Sequence, residues 1–107
     1  MGRFTLDDLA ARVRERAQAS ADKSYTRALL DKGVAHCAKK FGEEAVETVI
    51  AALGEDRERL IAEAGDALYH MLVLLESRGI ALTEVEAALA ARTSQSGLQE
   101  KAARTKD

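Results

Sequence analysis

The chain is predicted to be all-α, an antiparallel helical hairpin completed into a four-helix bundle by dimerisation, and three observations lead there. Hydrophobic residues make up 47% of the 107 positions while aromatics make up only 4%, so the core must be built from Ala, Leu, Val and Ile, which together favour helices over strands. Proline, the strongest helix breaker, does not occur. Two long stretches of helical periodicity flank Gly54, and helices joined by so short a turn run antiparallel. At this length residues 1–107 form one domain, which buries only about two-thirds of its unfolded surface.

The first helix is expected to start at Thr5, whose hydroxyl caps it while Asp8 sits three residues on, with Leu6, Leu9 and Val13 as its apolar stripe. Periodicity is lost in "QASADKS" (18–24), a loop. A helical pattern then runs from Thr26 to Leu53, with Gly33 inside it as a kink or close approach and Gly54 ending it. The next helix opens in "GEDRERL" and continues to Arg78, where Gly79 stops it. A last helix is expected from the capping box Thr83-x-x-Glu86 through "VEAALAAR". The polar tail from 93 to 107 is either disordered or ordered by a ligand or partner. The two main helices, at about 25 residues each, span about 37 Å. Such a hairpin cannot cover its own apolar surface, so a homodimer or larger homo-oligomer is expected.

Net charge is −2, but it is unevenly placed. Residues 1–40 carry nine basic and five acidic groups, residues 41–91 three and eleven, and residues 92–107 four and two. An acidic centre between basic ends lacks the dominant basic surface of a nucleic-acid binder. It suits a metal cation together with a phosphorylated ligand, or an ordinary mixed surface. A lone Cys37 allows no intrachain disulfide, and "MGRFTLDDLAARVRER" has neither the apolar run of a signal peptide nor that of a membrane span. The expected location is cytoplasmic, away from membranes.

The acidic centre contains two clusters, "KKFGEEAVE" (39–47) and "EAGD" (63–66). Alone, the first reads as surface, since Lys39 with Glu43 and Lys40 with Glu44 are i,i+4 pairs. The second lies in "LIAEAGDALYHMLVLL" (60–75), whose few polar side chains are Glu63, Asp66, Tyr69 and His70. A helix so apolar reads as buried, and an ionised carboxylate there needs a partner or a metal. Glu44 and Glu47 lie seven to ten residues before Gly54, and Glu63 and Asp66 nine to twelve after it. The two pairs therefore sit at nearly one height on the hairpin, where four carboxylates repel unless a cation joins them. Oxygen-only ligation favours a hard cation, Mg²⁺ or alternatively Mn²⁺. His70, four residues after Asp66, reads as a hydrogen-bonded or core histidine rather than a ligand.

Glu43-Glu44-x-x-Glu47, followed by Glu63-x-x-Asp66, resembles the EExxE…ExxD signature of the all-α nucleoside triphosphate pyrophosphohydrolases of the MazG-like superfamily. Within it, "SYTRALLDKG" (24–33), "KKFGEEAVETVIAA" (39–52), "EAGDALYHMLVLL" (63–75) and "SGLQEKAAR" (96–104) resemble, in order, segments of the phosphoribosyl-ATP pyrophosphohydrolases of histidine biosynthesis. The resemblance implies Mg²⁺-dependent cleavage of phosphoribosyl-ATP between its α and β phosphates, giving phosphoribosyl-AMP and pyrophosphate. It implies Glu44, Glu47, Glu63 and Asp66 as metal ligands, with Glu43 orienting water or taking its proton, a role open also to Glu44 or Glu47 while they bind metal. Lys39 and Lys40 would then meet the leaving pyrophosphate, or remain salt-bridge partners. Ser24 and Tyr25 would contact phosphate, or simply cap a helix. In the tail, Lys101 and Arg104, with Ser96, match the family's terminal segment and imply ordering over substrate. Two rival readings are a house-cleaning pyrophosphatase of other nucleoside triphosphates using the same acids, and a non-catalytic helical dimerisation module.

Overall fold

The computed structural model describes residues 2–54 and 56–94, and these form five helices with no strand among the described residues. They are α1 (Leu6–Ala17), α2 (Tyr25–Asp31), α3 (Val34–Leu53), α4 (Arg57–Ser77) and α5 (Leu82–Thr93). The expected tail residues Ser96, Lys101 and Arg104 lie outside the described residues.

α1 begins as its sequence dictates. The Thr5 side chain accepts from the Asp8 amide at 3.2 Å, and the Asp8 carboxylate accepts from the Thr5 amide at 2.9 Å, so two amides left unpaired by the first turn are satisfied reciprocally. After the 18–24 loop, Ser24 caps α2. Its hydroxyl accepts from the Arg27 amide at 3.0 Å and donates to the Arg16 carbonyl at 2.9 Å. Arg27 adds a bond to the Ala17 carbonyl at 2.9 Å, so the short α2 is tied to the end of α1.

The expected single helix over 26–53 is instead two. The break is at Gly33, whose φ of 96° and ψ of 170° lie in a region open essentially only to glycine. A pattern of apolar spacing continues across such a break because both sides face the same core. Cys37 bridges it: its thiol donates to the Leu29 carbonyl at 3.3 Å, and burial pushes the thiol pKa up. Gly33→Ala is therefore expected to destabilise the fold by about 1–3 kcal/mol, read as a lower urea midpoint at unchanged m-value. An unchanged midpoint would show that the break tolerates a β-carbon.

α3 and α4 are joined through Gly54, and Asp56 caps α4 by accepting from the amides of Glu58 and Arg59. α4 ends as expected at Gly79. With φ of 69°, Gly79 lets the Ile80 amide reach the Leu75 carbonyl at 2.9 Å while its own amide reaches Glu76, the double closure of a Schellman turn. α5 starts earlier than the expected Thr83–Glu86 box. Glu84, not Glu86, reaches back, accepting from the Ala81 amide at 2.9 Å, because the chain re-enters helix at Leu82.

α3 and α4 make the main packing interface, and α1 and α2 close over one end of the pair. The core lies at that end: Ala10, Val13, Leu29, Cys37, Leu72 and Val73, flanked by Leu9, Leu30, Tyr69, Leu74, Leu75 and Leu82. The opposite end of the hairpin is thinly covered. Val46, Val49, Ile50 and Leu53 are all exposed, Leu53 at 83%, and Ile61 and Leu68 of α4 are exposed too. α4 is thus buried only in part within one chain, at His70, Leu72 and Val73, while the rest of its apolar surface stays uncovered, as expected of a hairpin too small to cover itself.

Candidate metal centre

The face of α3 turned toward α4 carries Glu44, Thr48 and Ala51, which fall at i, i+4 and i+7. Ala51 is buried and Glu44 and Thr48 are half-buried. Across from them α4 presents Glu63 and Asp66, one turn apart. One carboxylate oxygen each from Glu44, Glu63 and Asp66 lies within 4.8 Å of the others. Three of the four expected ligands therefore converge from two helices.

Glu47 does not join them in this arrangement. It lies on the flank of α3, where its carboxylate is 3.5 Å from the Arg59 guanidinium on α4, a pair that spacing along one helix does not reveal. Glu43 is 3.4 Å from Lys40, so the lysine pairs three residues on rather than with Glu44 as the i,i+4 pattern suggested. Both pairs are substantially exposed and thus contribute little stability. Lys39 is exposed. The carboxylates are also wetter than expected: Glu44 and Glu63 are half-buried and Asp66 is exposed.

One helical turn from Asp66, His70 is buried at 7% exposure. Burial pushes its pKa down, the Glu44 carboxylate opposes that shift, and Lys40 adds to it. His70 packs edge-on against Tyr69 at 5.0 Å and Tyr25 at 6.3 Å, while the two tyrosine rings stack at 6.4 Å with an 18° tilt. Tyr69 is anchored by a 2.6 Å bond between its hydroxyl and that of Thr26. Tyr25 is 59% exposed. Ser24, by contrast, has its hydroxyl engaged in the cap of α2 and the tie to α1. An aromatic wall, Tyr25–Tyr69–His70, thus leads from solvent toward the carboxylates.

The donor set fits a hard divalent cation. All three groups offer oxygen, and oxygens sharing one Mg²⁺ at about 2.1 Å stand about 3–4 Å apart, which long glutamate side chains reach from a 4.8 Å cluster by small rotations. Without a cation, three like charges this close repel one another.

Fold and site together define an all-α protein whose two principal helices present a cluster of oxygen donors at one height. The sequence profile of the phosphoribosyl-ATP pyrophosphohydrolase family matches residues 6–93, so the chain belongs to that family. It is 66% identical over 107 residues, spanning both chains fully, to the phosphoribosyl-ATP pyrophosphatase 1 of Rhodopseudomonas palustris. Identity is 67% over 104 residues, 97% of this chain and 98% of the relative, with the phosphoribosyl-ATP pyrophosphatase 1 of Bradyrhizobium diazoefficiens. With the phosphoribosyl-ATP pyrophosphatase of Nitrobacter hamburgensis it is 61% over the full length of both. Among the described residues no helix is long and apolar enough to cross a membrane.

Proposed function

We propose that this chain is a phosphoribosyl-ATP pyrophosphohydrolase of the cytoplasm, hydrolysing phosphoribosyl-ATP to phosphoribosyl-AMP and pyrophosphate in histidine biosynthesis. The observation that carries the reading is the family match over residues 6–93, which encloses the convergent oxygens of Glu44, Glu63 and Asp66.

These three residues would hold Mg²⁺, or Mn²⁺ in its place, with Glu47 as a fourth oxygen donor once free of Arg59. When bound, the cation supplies neutralisation of the charge that builds up on the phosphates. The side chains do the rest. Glu43, adjacent in sequence to Glu44 and 3.4 Å from Lys40, orients the attacking water and takes its proton as the water oxygen bonds to the α-phosphorus. The α–β phosphoanhydride bond breaks, and pyrophosphate leaves with the bonding electrons. Lys39 and Lys40 on the preceding turn meet its negative charge. Tyr25, kept in place by the Ser24 cap and the ring stack, lines the approach for the nucleotide, and Lys101 and Arg104 contribute cations from the terminal segment.

We further infer a homodimer. Val46, Val49, Ile50 and Leu53 occupy one stripe of α3, on the side away from the carboxylates, and remain exposed in a single chain. A second hairpin laid against this stripe makes the four-helix bundle.

Pyrophosphate release from phosphoribosyl-ATP and from ATP, measured side by side with and without Mg²⁺, tests the activity. Metal-dependent release from phosphoribosyl-ATP at a much higher kcat/KM is expected. Comparable turnover of ATP would favour a general nucleoside triphosphate pyrophosphatase instead, and no release from either would remove the enzymatic reading.

A further inference from the structure

The hydroxyl of Thr48 sits between the two helices at the level of the carboxylates. It lies 2.8 Å from the Glu44 carbonyl on its own helix and 3.0 Å from the Glu63 carbonyl on α4. The first contact is ordinary, since a threonine inside a helix often bonds the carbonyl four residues back. The second is not: it crosses from α3 to α4 and spans 15 residues of sequence. Both acceptors are the backbone of residues whose side chains belong to the carboxylate cluster. The hydroxyl oxygen is within hydrogen-bonding distance of both carbonyls, so its one proton can be given to either.

From this geometry we infer that Thr48 is a positioning residue for the metal centre, fixing the axial offset between Glu44 on α3 and Glu63 on α4. This rests on the reading of the carboxylates as cation ligands. The physical need for such a clamp is specific to the site. Mg²⁺ demands near-octahedral geometry with short bonds, yet its donors come from separate helices whose faces here are lined by small or half-buried residues. Ala51, one turn beyond Thr48, packs but sets no hydrogen bond across the interface, and the exposed Arg59–Glu47 contact at 3.5 Å is too long and wet to hold the register. Thr48 supplies a short, half-buried polar link at the required height.

The test compares Mn²⁺ binding to the full chain by titration calorimetry, so that the readout is the affinity of the site and not turnover. Thr48→Val keeps the branched shape and removes the hydroxyl, Thr48→Ser keeps the hydroxyl, and Glu44→Gln removes a ligand. Thr48→Val is expected to weaken Mn²⁺ binding about tenfold, the lower end of the range for residues that orient metal ligands, with Thr48→Ser within about threefold of the parent. Should Thr48→Val fail to fold, Thr48→Ala against Thr48→Ser carries the same comparison. If the parent binds Mn²⁺ and Glu44→Gln abolishes binding, but Val and Ser variants match the parent, the positioning role is wrong while the metal centre stands. Equal losses in Val and Ser also overturn it, because the hydroxyl is then irrelevant. A parent that binds no Mn²⁺ stoichiometrically overturns both readings.

Discussion

Glu44→Gln is expected to lower Mg²⁺-dependent pyrophosphate release by at least about 100-fold, the scale seen when one preorganised electrostatic group is lost from an active site, while leaving helicity nearly intact. The substitution is isosteric and removes one unit of charge from a cluster whose oxygens lie within 4.8 Å of one another. Among the described residues the Glu44 carboxylate makes no ion pair. Glu44 caps no helix and lies outside the core, and the structural bond at this position uses its backbone carbonyl, which glutamine retains. Asp66→Asn should behave alike, being the exposed member of the same cluster. Raising Mg²⁺ should recover part of the lost activity if affinity is the main loss. Glu43→Gln should separate from both: kcat falls while Mn²⁺ affinity is kept, since Glu43 is tied to Lys40 rather than to the cluster. Activity of Glu44→Gln or Asp66→Asn within about threefold of the parent, too small for the loss of a ligand, would show that these acids are not the metal site.

What the sequence made legible, and what it hid, follows from the kind of signal each feature leaves. The Thr5–Asp8 box and the stop at Gly79 were readable because a cap or a left-handed residue needs particular residue types at fixed offsets. Gly33 was visible as a glycine but not as a helix end, since apolar spacing is the same on both sides and only φ reveals the break. The start of α5 was misplaced by two residues because two glutamates, Glu84 and Glu86, compete for one role, and the turn at Gly79 decides between them. Counting heights across Gly54 brought Glu44, Glu63 and Asp66 together correctly. It could not place Glu47, whose partner Arg59 lies on the facing helix. Thr48 left no signal, because a threonine in mid-helix has an ordinary local bond available and its cross-helix bond depends on interhelical distance. The partial burial of α4 has a related reason: apolar content says that a surface must be covered, not which chain covers it.

That last point gives the other large expected effect. The parent protein should sediment at micromolar concentration at twice its 11.6 kDa chain mass, and Ile50→Glu should sediment as a monomer. Ile50 is 49% exposed at the middle of the stripe formed by Val46, Val49 and Leu53. Fully burying an aliphatic side chain of this size contributes about 1.5–3 kcal/mol, and two-fold symmetry presents each residue twice. A glutamate at Ile50 replaces this gain with two carboxylates facing an apolar surface, each costing several kcal/mol to desolvate. Ile50→Val trims one methylene and should leave the dimer intact at micromolar concentration, which separates loss of association from a general intolerance of the position. Because the core lies at the other end of the hairpin, the Ile50→Glu chain should keep most of its helicity but lose stability, most visibly in α3 and α4 near Gly54. A folded monomer of the parent at micromolar concentration would rule out the bundle and leave the apolar stripe exposed in solution. Glu44, Glu63 and Asp66 lie between α3 and α4, away from the stripe, so metal binding offers a second discriminator: the monomeric variant should still bind Mn²⁺, with affinity weakened as the hairpin loosens between its two ligand-bearing helices.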